Sequence, residues 1–438
     1  MNAIEKVTGP CVVLAGAGTG KTYTIVEKIK HIVQNKIYSP EKIVCITFSN
    51  EAANNLILRV DKVLNGLNKK EVVNDKETIS GDVGDNKTEE DIVNDNRTTG
   101  RDVNNGNDRL AVNSMALKGR KPIIRTFHGF SADLLRKYGD RIGISREFKI
   151  LDSQQAMVLL HRSLKVHANN CGKYVGTIGT AKDLGIQITE FQKHLEGLVG
   201  KYTGVDLEKR LENLNFELQT LYLKDNGKKK KDLISEIKRV RGIVELRKFV
   251  NAWSAYEKIK QKGNYQDYSD LSNNALLLLE KYPEVASEFD YIIVDEFQDT
   301  NKVQLDFLVR LARSGNVTVV GDLNQSIYRF RGAYKENLGL FRKAFDVGQG
   351  DVFNLDKSYR SSNKILKAAH KLILNNYANE DECFFVENVH NREGDKIEVY
   401  EMKDAKEEAR KIVEIVQRES ENGKPLEDIC VMFRAHQY

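Results

Sequence analysis

Residues 11–24, CVVLAGAGTGKTYT, decide the fold of this chain. The apolar run Val12–Leu14 is typical of a buried parallel strand, and a glycine-rich turn follows it directly. After the turn, apolar residues recur at the spacing of an amphipathic helix: Ile25, Val26, Ile29 and Ile32. A strand, a glycine loop, Lys-Thr and a helix, in this order, predict a phosphate-binding loop.

The residue types of this loop suit a nucleoside triphosphate bound with Mg²⁺. Small residues let successive backbone N–H groups turn toward phosphate oxygens, and the following helix presents the positive end of its dipole to the same anion. Lys21 would reach the β- and γ-phosphates, and the Thr22 hydroxyl would bind Mg²⁺. Ala15 stands where the G-x-x-x-x-G-K-[ST] pattern begins with glycine, and so small a residue still fits. The predicted nucleotide contacts are Ala15, Gly16, Ala17, Gly18, Thr19, Gly20, Lys21 and Thr22.

The composition is that of a globular protein with a mildly basic balance. Of 438 residues, 40% are hydrophobic and 30% are charged, and the net charge of +5 permits an anionic partner without requiring one. The five cysteines form no C-x-x-C pair, so we expect reduced core cysteines in a cytoplasmic protein. No apolar run is long enough to span a membrane, and we expect no signal peptide before the loop.

Further buried-strand patterns, each followed by a helix-like segment, predict an α/β fold. Such alternation is typical of a parallel sheet covered by helices, which binds ligands at the carboxyl ends of its strands. Ser49 or Asn50 could cap the second helix. Near the C-terminus we predict strands at Ile397–Tyr400 and Asp428–Phe433, as part of another α/β domain. The core patterns are Lys42–Phe48, Ile123–Phe130, Phe289–Val294 and Asn316–Val320.

Two segments interrupt the predicted sheet. Residues 66–118 are rich in Asn, Asp, Lys, Thr and Gly and contain a near repeat, Val73–Asp75 and Val93–Asp95, so we predict a flexible surface insertion rather than a specific binding element. Residues 152–255 have mostly helical patterns and predict an inserted helical subdomain. Its lysine run, Lys228–Lys231, suits either a solvated helix face or a patch that contacts the backbone of duplex nucleic acid.

The acidic pair Asp295-Glu296 follows an apolar strand far downstream of the loop. Such a pair is often no more than surface capping, but triphosphate hydrolysis needs these two groups. Asp295 could hold Mg²⁺, and Glu296 could orient and deprotonate the attacking water. The phosphate-binding loop and the following Gln298-Asp299 favour the catalytic interpretation.

Several motifs together resemble one protein family, the UvrD/Rep group of superfamily 1 DNA helicases. They come in that group's order: GAGTGKT (16–22), ITFSNEAA (46–53), TFHGF (126–130), VDEFQDT (294–300), VGDLNQSIYRFRGA (320–333) and SYRSS (358–362). The resemblance covers most of the chain outside residues 66–118. It implies a P-loop, RecA-like parallel-sheet motor domain with an inserted helical subdomain, followed by a truncated second RecA-like α/β domain.

The resemblance also implies roles around ATP and Mg²⁺. Gln325 matches the family's γ-phosphate sensor. Tyr359 and Arg360 match a Tyr that stacks near the base and an Arg that reaches the γ-phosphate across a cleft, which makes closure depend on the triphosphate. The implied metal ligands are Thr22 and Asp295. The implied catalytic residues are Lys21, Asp295, Glu296, Gln325 and Arg360.

A second set of residues matches family positions that contact single-stranded DNA. Aromatic faces hold single strands by stacking on bases, at about 1–3 kcal/mol per base, and basic groups hold the backbone. Phe330 stands where many members have Trp and keeps a stacking face, whereas His128 suits a core position equally well. The set is Phe48, Asn50, Thr126, His128, Tyr328, Phe330 and Arg331.

The chain also departs from the family pattern. No Gln precedes the loop strand to select adenine, Tyr23 replaces a frequent Arg, and nothing after Arg360 resembles the remaining motifs of the second motor domain. We therefore expect the N-terminal portion of a helicase. The predicted segments are residues 1–151 and 256–350 for the first motor domain, 152–255 for the helical subdomain, and 351–438 for part of the second motor domain.

The resemblance implies an ATP-dependent helicase and translocase that moves 3′ to 5′ on single-stranded DNA and acts at single/double-strand junctions. We expect this chain by itself to unwind poorly or not at all, and a second chain could supply the missing motifs. One alternative is a nucleotide-gated single-stranded DNA-binding module without productive hydrolysis. Another, a P-loop NTPase acting on protein partners, is disfavoured by the cluster from Tyr328 to Arg331.

Overall fold

A six-stranded sheet carries the phosphate-binding loop. The structure is a computed structural model that describes residues 2–77, 120–221, 227–326, 336–377 and 383–433, and the chain divides into two compact units, residues 1–360 and 361–438. The strands are β1 (Pro10–Ala15), β2 (Ile43–Thr47), β3 (Ile123–Thr126), β4 (Lys149–Leu151), β5 (Tyr265–Asp267), β6 (Tyr291–Val294), β7 (Val317–Gly321), β8 (Val352–Leu355), β9 (Lys357–Ser358) and β10 (Glu387–Asn388). The helices are α1 (Lys21–Gln34), α2 (Asn50–Glu77), α3 (Phe127–Tyr138), α4 (Ser153–Leu164), α5 (Ala168–Asp183), α6 (Ile188–Val199), α7 (Leu207–Leu221), α8 (Gly227–Gly263), α9 (Tyr268–Lys281), α10 (Lys302–Leu311), α11 (Asn337–Ala344), α12 (Asn363–Ile373) and α13 (Ala405–Glu421).

The main sheet is parallel throughout, with strand order β3-β2-β6-β7-β1-β8. β1 lies between β7 and β8, so that Val13 is opposite both Val320 and Phe353. Alternate residues of the strands enter two separate cores, Val12 on one face and Val13 on the other. Helices cover both faces of the sheet. Full burial of a strand side chain such as that of Val12 or Val13 contributes about 1.5–3 kcal/mol to stability. The parallel α/β sheet predicted from the sequence is confirmed.

Strand β8 belongs to this sheet, although the sequence patterns assigned residues 351–438 to the second domain. Its residues pair with β1 from Val352 to Leu355, and the first compact unit extends to Arg360. The two compact units divide between residues 360 and 361, and the predicted domain boundary between 350 and 351 stays a prediction. A short strand pattern does not reveal which sheet will accept it.

The N-terminal segment is fixed to α1 through Lys28, whose side chain is completely buried. Its ammonium donates hydrogen bonds to the backbone carbonyls of Ala3 and Lys6, both at 2.6 Å. Burial lowers the pKa of Lys28 from its ordinary value, and the neighbouring Cys11 partly opposes this shift. The carbonyls supply the hydrogen bonds that a buried ammonium requires.

The helical insertion is framed by a small parallel pair, β4 and β5, with Leu151 opposite Asp267. Helices α4 to α8 lie between these strands and form two apolar cores, one around Trp253 and one around Val240. Helix α8 is 37 residues long and continues past the predicted domain limit at residue 255, to Gly263. Lys228, Lys229 and Lys231 near its start are exposed. This exposure fits both a solvated helix face and a patch that contacts the backbone of duplex nucleic acid.

Helix α2 extends further than the sequence patterns suggested. It runs to Glu77, so residues 66–77 of the predicted flexible insertion are helical, and residues 78–119 lie outside the described part of the chain. Lys, Glu, Leu and Val in this stretch tolerate a helix, and polar composition alone does not exclude one.

The second unit contains α12, β10 and α13. The strands predicted at Ile397–Tyr400 and Asp428–Phe433 are absent there, and Val399 and Met432 are 90% and 89% exposed. A strand requires a hydrogen-bonded neighbour, and the structure pairs neither segment with one in the described residues. Both strand predictions were wrong. No helix in the described part of the chain combines the length and apolarity that a bilayer crossing requires.

Candidate functional site

The loop after β1 has the backbone conformation of an anion cradle. Gly18 and Gly20 have positive φ angles of 75° and 93°, which side chains other than glycine rarely adopt. The Thr19 hydroxyl donates to the Gly16 carbonyl at 2.8 Å and closes the turn. Gly20 precedes α1, so the free N–H groups of the first helical turn face the loop. Residues 15–22 thus form the turn that the sequence predicted.

Lys21 and Glu296 meet at the centre of the site although they lie far apart in sequence. The Lys21 ammonium donates to Glu296 Oε2 at 2.6 Å. Lys21 is the first residue of α1, and Glu296 follows β6, so the carboxyl ends of β1 and β6 bring them together. Glu296 has a φ of 49°, a left-handed conformation that is unfavourable for this residue type and often found at functional sites.

Asp295 is the buried member of the acidic pair, with 9% of its surface exposed. Its Oδ1 accepts a hydrogen bond from the Glu296 backbone N–H at 2.9 Å. Burial, reinforced by the charge of Glu296, raises the pKa of Asp295 to about 6, while Lys21 opposes the shift. A bound cation would stabilise the ionised form of this buried carboxylate. The hard oxygen donors of Asp295 and Thr22 suit Mg²⁺. The donor set therefore fits the metal that the sequence predicted.

Gln325 lies in a short turn after β7 together with Asp322. Its amide donates to Asp322 Oδ2 at 2.6 Å, and the Asn324 N–H donates to Asp322 Oδ1 at 3.0 Å. Burial raises the pKa of Asp322, and the hydrogen bond from Gln325 opposes the shift. The turn is joined to Glu296 through Gln298, whose side-chain amide contacts both.

The segment at Tyr359 and Arg360 lies against the phosphate-binding loop. The Tyr359 backbone N–H donates to the Gly18 carbonyl at 2.9 Å, and the Ser358 hydroxyl donates to the Ala17 carbonyl at 3.4 Å. A Cβ on Gly18 would lie 2.5 Å from Arg360 Cβ, so glycine is required for this approach. The Tyr359 side chain is 66% exposed beside the loop, where a base could stack on it. The structure thus brings both residues to the loop.

A second group of predicted residues lines a surface cavity of about 430 Å³. Phe48 and Asn50 follow β2, while Thr126 and His128 lie where β3 meets α3. The Thr126 hydroxyl also caps α3 by accepting from the Gly129 N–H at 3.1 Å. Burial lowers the pKa of His128, which favours the neutral ring. Tyr328, Phe330 and Arg331, predicted for the same function, lie outside the described residues.

Two residues of these sites were missed by the motif argument. Tyr268 lines the cavity, 46% exposed, with its ring centroid 5.1 Å from that of His128. Its signal in the sequence is an aromatic residue at the first helical position after Asp267, which caps α9. Gln298 was noted only as a neighbour of the acidic pair, and only the fold reveals its contacts.

Comparison with known families agrees with this geometry. The UvrD/REP helicase N-terminal domain family matches residues 1–346. The chain belongs to the UvrD/Rep helicase family. The UvrD-like helicase C-terminal domain family matches residues 353–438. The chain therefore also contains sequence of the family's C-terminal domain.

Individual UvrD/Rep relatives match along nearly the whole chain. The "ATP-dependent DNA helicase PcrA" of Staphylococcus aureus strain Mu50 is 27% identical over 99% of this chain and 47% of its own length. The "ATP-dependent DNA helicase Rep" of Buchnera aphidicola is 26% identical over 99% of this chain and 53% of its own length. PcrA of Bacillus subtilis is 27% identical, over 99% and 46% respectively. The chain spans about half the length of the curated relatives it matches.

Proposed function

We propose that this chain is the ATP-hydrolysing portion of a DNA helicase of the UvrD type. The observation that carries the proposal is the contact of Lys21 with Glu296 at 2.6 Å, beside the buried Asp295 and the cradle of residues 15–20. A lysine, a metal-binding carboxylate and a base at a phosphate loop are the groups that phosphoryl transfer requires. The relatives carry the name ATP-dependent DNA helicase, which supports the same activity.

The proposed roles follow from the charge of each group. Lys21 and the backbone N–H groups of the loop would bind the β- and γ-phosphates of ATP. Thr22 and Asp295 would hold Mg²⁺, which would supply positive charge to the phosphate oxygens. Glu296 accepts the proton of the attacking water. The residues proposed to contact the γ-phosphate are Gln325 and Arg360.

The cavity of about 430 Å³ is the proposed contact for single-stranded DNA within the described residues. Phe48, His128 and Tyr268 line it and supply the rings proposed to stack on bases. Arg125 and Arg136, both paired with Asp133 in this structure, line the same cavity and are proposed to contact phosphates. Binding of this kind is independent of sequence. Movement 3′ to 5′ and action at single/double-strand junctions are further parts of the proposal, supported by the resemblance of the motifs.

The deciding experiment is steady-state ATP hydrolysis by the 438-residue chain, with and without a single-stranded oligonucleotide. We expect turnover that the oligonucleotide stimulates, and a loss of about a hundredfold or more in Lys21→Ala, because the charge that binds the transferring phosphoryl group is removed. Lys62→Ala, an exposed lysine on α2, is the matched control and should leave turnover unchanged.

Two other outcomes would change the proposal. Binding of ATP and DNA without turnover would favour the nucleotide-gated DNA-binding module that the sequence left open, and would call for a test with a second chain. Binding of neither ligand would refute both functions. Unwinding of a partial duplex, measured in the same samples, tests the expectation that this chain alone unwinds poorly.

A further inference from the structure

Gln298 connects the two sides of the proposed catalytic centre through one carboxamide. Its Nε2 donates to Glu296 Oε2 at 2.8 Å, and its Oε1 accepts from the Asp322 backbone N–H at 2.9 Å. Asp322 opens the turn that carries Gln325, the proposed γ-phosphate sensor. The Ser326 hydroxyl at the other end of the turn donates to the Gln298 backbone carbonyl at 3.3 Å. One residue is therefore bonded to the proposed base and to both ends of the sensor turn.

The packing around Gln298 leaves its carboxamide little freedom. The residue is 7% exposed, so each polar atom depends on a protein partner. A Cβ built on Gly321 would lie only 2.7 Å from Gln298 Oε1, although the backbone of Gly321 has no positive φ. The absence of a side chain at position 321 is what lets the carboxamide reach the Asp322 N–H.

The amide is the functional group that suits this position. It donates on one side and accepts on the other, which neither a carboxylate nor an apolar side chain of the same length can do. Glu296 shares Oε2 between Lys21 and Gln298, at 2.6 and 2.8 Å. When Lys21 turns to a bound phosphate, the hydrogen bond from Gln298 is the contact that still orients the base.

We infer that Gln298 is a positioning residue that sets the base Glu296 and the sensor turn, residues 322–326, at a fixed separation matched to the γ-phosphate. The inference rests on the proposed function. It concerns recognition of the terminal phosphate, because Gln298 is hydrogen-bonded to the proposed base and to the turn that carries the proposed γ-phosphate sensor.

The test measures binding of Mg·ADP and Mg·ATPγS to the full chain by calorimetry. The wild-type chain should bind Mg·ATPγS about tenfold more tightly than Mg·ADP, the size of one hydrogen bond to a charged group. Gln298→Met should bind Mg·ADP within about threefold of wild type but lose the preference for ATPγS. Gln34→Met, an exposed glutamine on α1, is the matched control and should keep the preference.

A second variant reaches the same contact from the other side. Gly321→Ala should displace the carboxamide and reduce the preference as Gln298→Met does, because its Cβ would meet Gln298 Oε1. Gly339→Ala, an exposed glycine on α11 whose added Cβ meets no atom within 4 Å, is its control. The ratio of the two affinities separates a positioning effect from a stability effect, because a general loss of folding would weaken the binding of both nucleotides equally.

The possible results are distinct. A preference retained in Gln298→Met overturns the inference and leaves the proposed function intact, as does a wild-type chain that binds both nucleotides equally. A wild-type chain that binds neither nucleotide refutes the proposed function itself. Loss of the preference in both Gln298→Met and Gly321→Ala, but in neither control, supports the inference.

Discussion

Glu296 Oε2 accepts hydrogen bonds from both Lys21 and Gln298, and this sharing has a consequence for nucleotide binding. The Lys21 ammonium that would bind phosphate forms an ion pair with the Glu296 carboxylate at 2.6 Å. A triphosphate must compete with that carboxylate for the same lysine. The residue that supports hydrolysis therefore opposes binding.

Glu296→Gln should separate these two effects. We expect turnover to fall by about a hundredfold or more, because the amide cannot accept a proton. The affinity for Mg·ATPγS should stay equal or rise, because Lys21 no longer has a competing negative charge. Calorimetry and steady-state kinetics on the same preparation test both statements. Undiminished turnover would remove Glu296 from the role of base, and a large loss of affinity would contradict the competition.

Asp295→Asn should stabilise the folded chain near neutral pH. The pKa of Asp295 is raised from 3.8 to about 6, so its ionisation in the fold destabilises the protein progressively as pH rises through this window. The free energy of unfolding should increase by about 2–3 kcal/mol in the variant at about pH 7.5, and the gain should disappear below about pH 4. Denaturant unfolding at several pH values measures it. A gain that is independent of pH would assign the effect to packing.

Tyr268→Ala should weaken binding to single-stranded oligo(dT). Loss of one stacked base corresponds to a decrease of about 5- to 150-fold in affinity. The slope of log affinity against log salt concentration should not change, because no charge is removed. Fluorescence anisotropy over a salt series measures both quantities. Tyr400→Ala in the second unit, 42% exposed, is the control; an unchanged affinity in Tyr268→Ala would exclude a stacking role.

Among the elements, α5, α8, β5 and α9 are joined by buried charges. Lys182 on α5 and Lys260 on α8 both contact Asp270 on α9 and Asp267 at the end of β5, and Glu257 completes the cluster. Burial alone would raise the pKa of Asp267, but attraction to Lys182 and Lys260 outweighs it and holds the pKa well below its usual range. This cluster fastens the helical insertion to α9, whose first residue is Tyr268.

Lys260→Met should destabilise the chain by about 3–5 kcal/mol, because three half-buried carboxylates would then share one ammonium. Lys258→Met, an exposed position on the same helix, should have almost no effect. The stability that Asp267 gains from its lowered pKa exists above its ordinary pKa and is lost as the pH falls, so the difference between variant and wild type should shrink in acid. Denaturant unfolding at neutral and acidic pH tests this. Equal losses in both variants would contradict the buried network.

At the scale of the whole molecule, the two units differ in how well their backbone is protected. The strands β1, β2, β6 and β7 have almost every residue buried and paired. In the second unit, residues 397–400 and 428–433 have no regular strand pairing and many exposed apolar side chains. Stability is therefore unevenly distributed along the chain.

Hydrogen exchange followed by mass spectrometry should reveal this difference. Peptides that cover β1, β2, β6 and β7 should exchange only through global opening, whereas residues 397–400 and 430–433 should exchange at the earliest times, because their N–H groups lack strand partners. Helix α13 in the same unit serves as an internal reference with hydrogen-bonded amides. Strong protection at 397–400 would show that the strand predicted from the sequence forms in solution.

Sequence alone determined the features that depend on neighbours along the chain. The loop at residues 15–22, the apolar strands and the acidic pair after β6 are local patterns, because burial periodicity and turn chemistry act over a few residues. Tertiary structure alone decided which distant groups meet. Lys21 contacts Glu296, Tyr359 contacts Gly18, and Tyr268 joins His128, because the strand order of the sheet and the path of the helical insertion place them together. The two strand predictions at 397–400 and 428–433 were wrong for the same reason, since an apolar run becomes a strand only where the fold supplies a neighbouring strand for pairing.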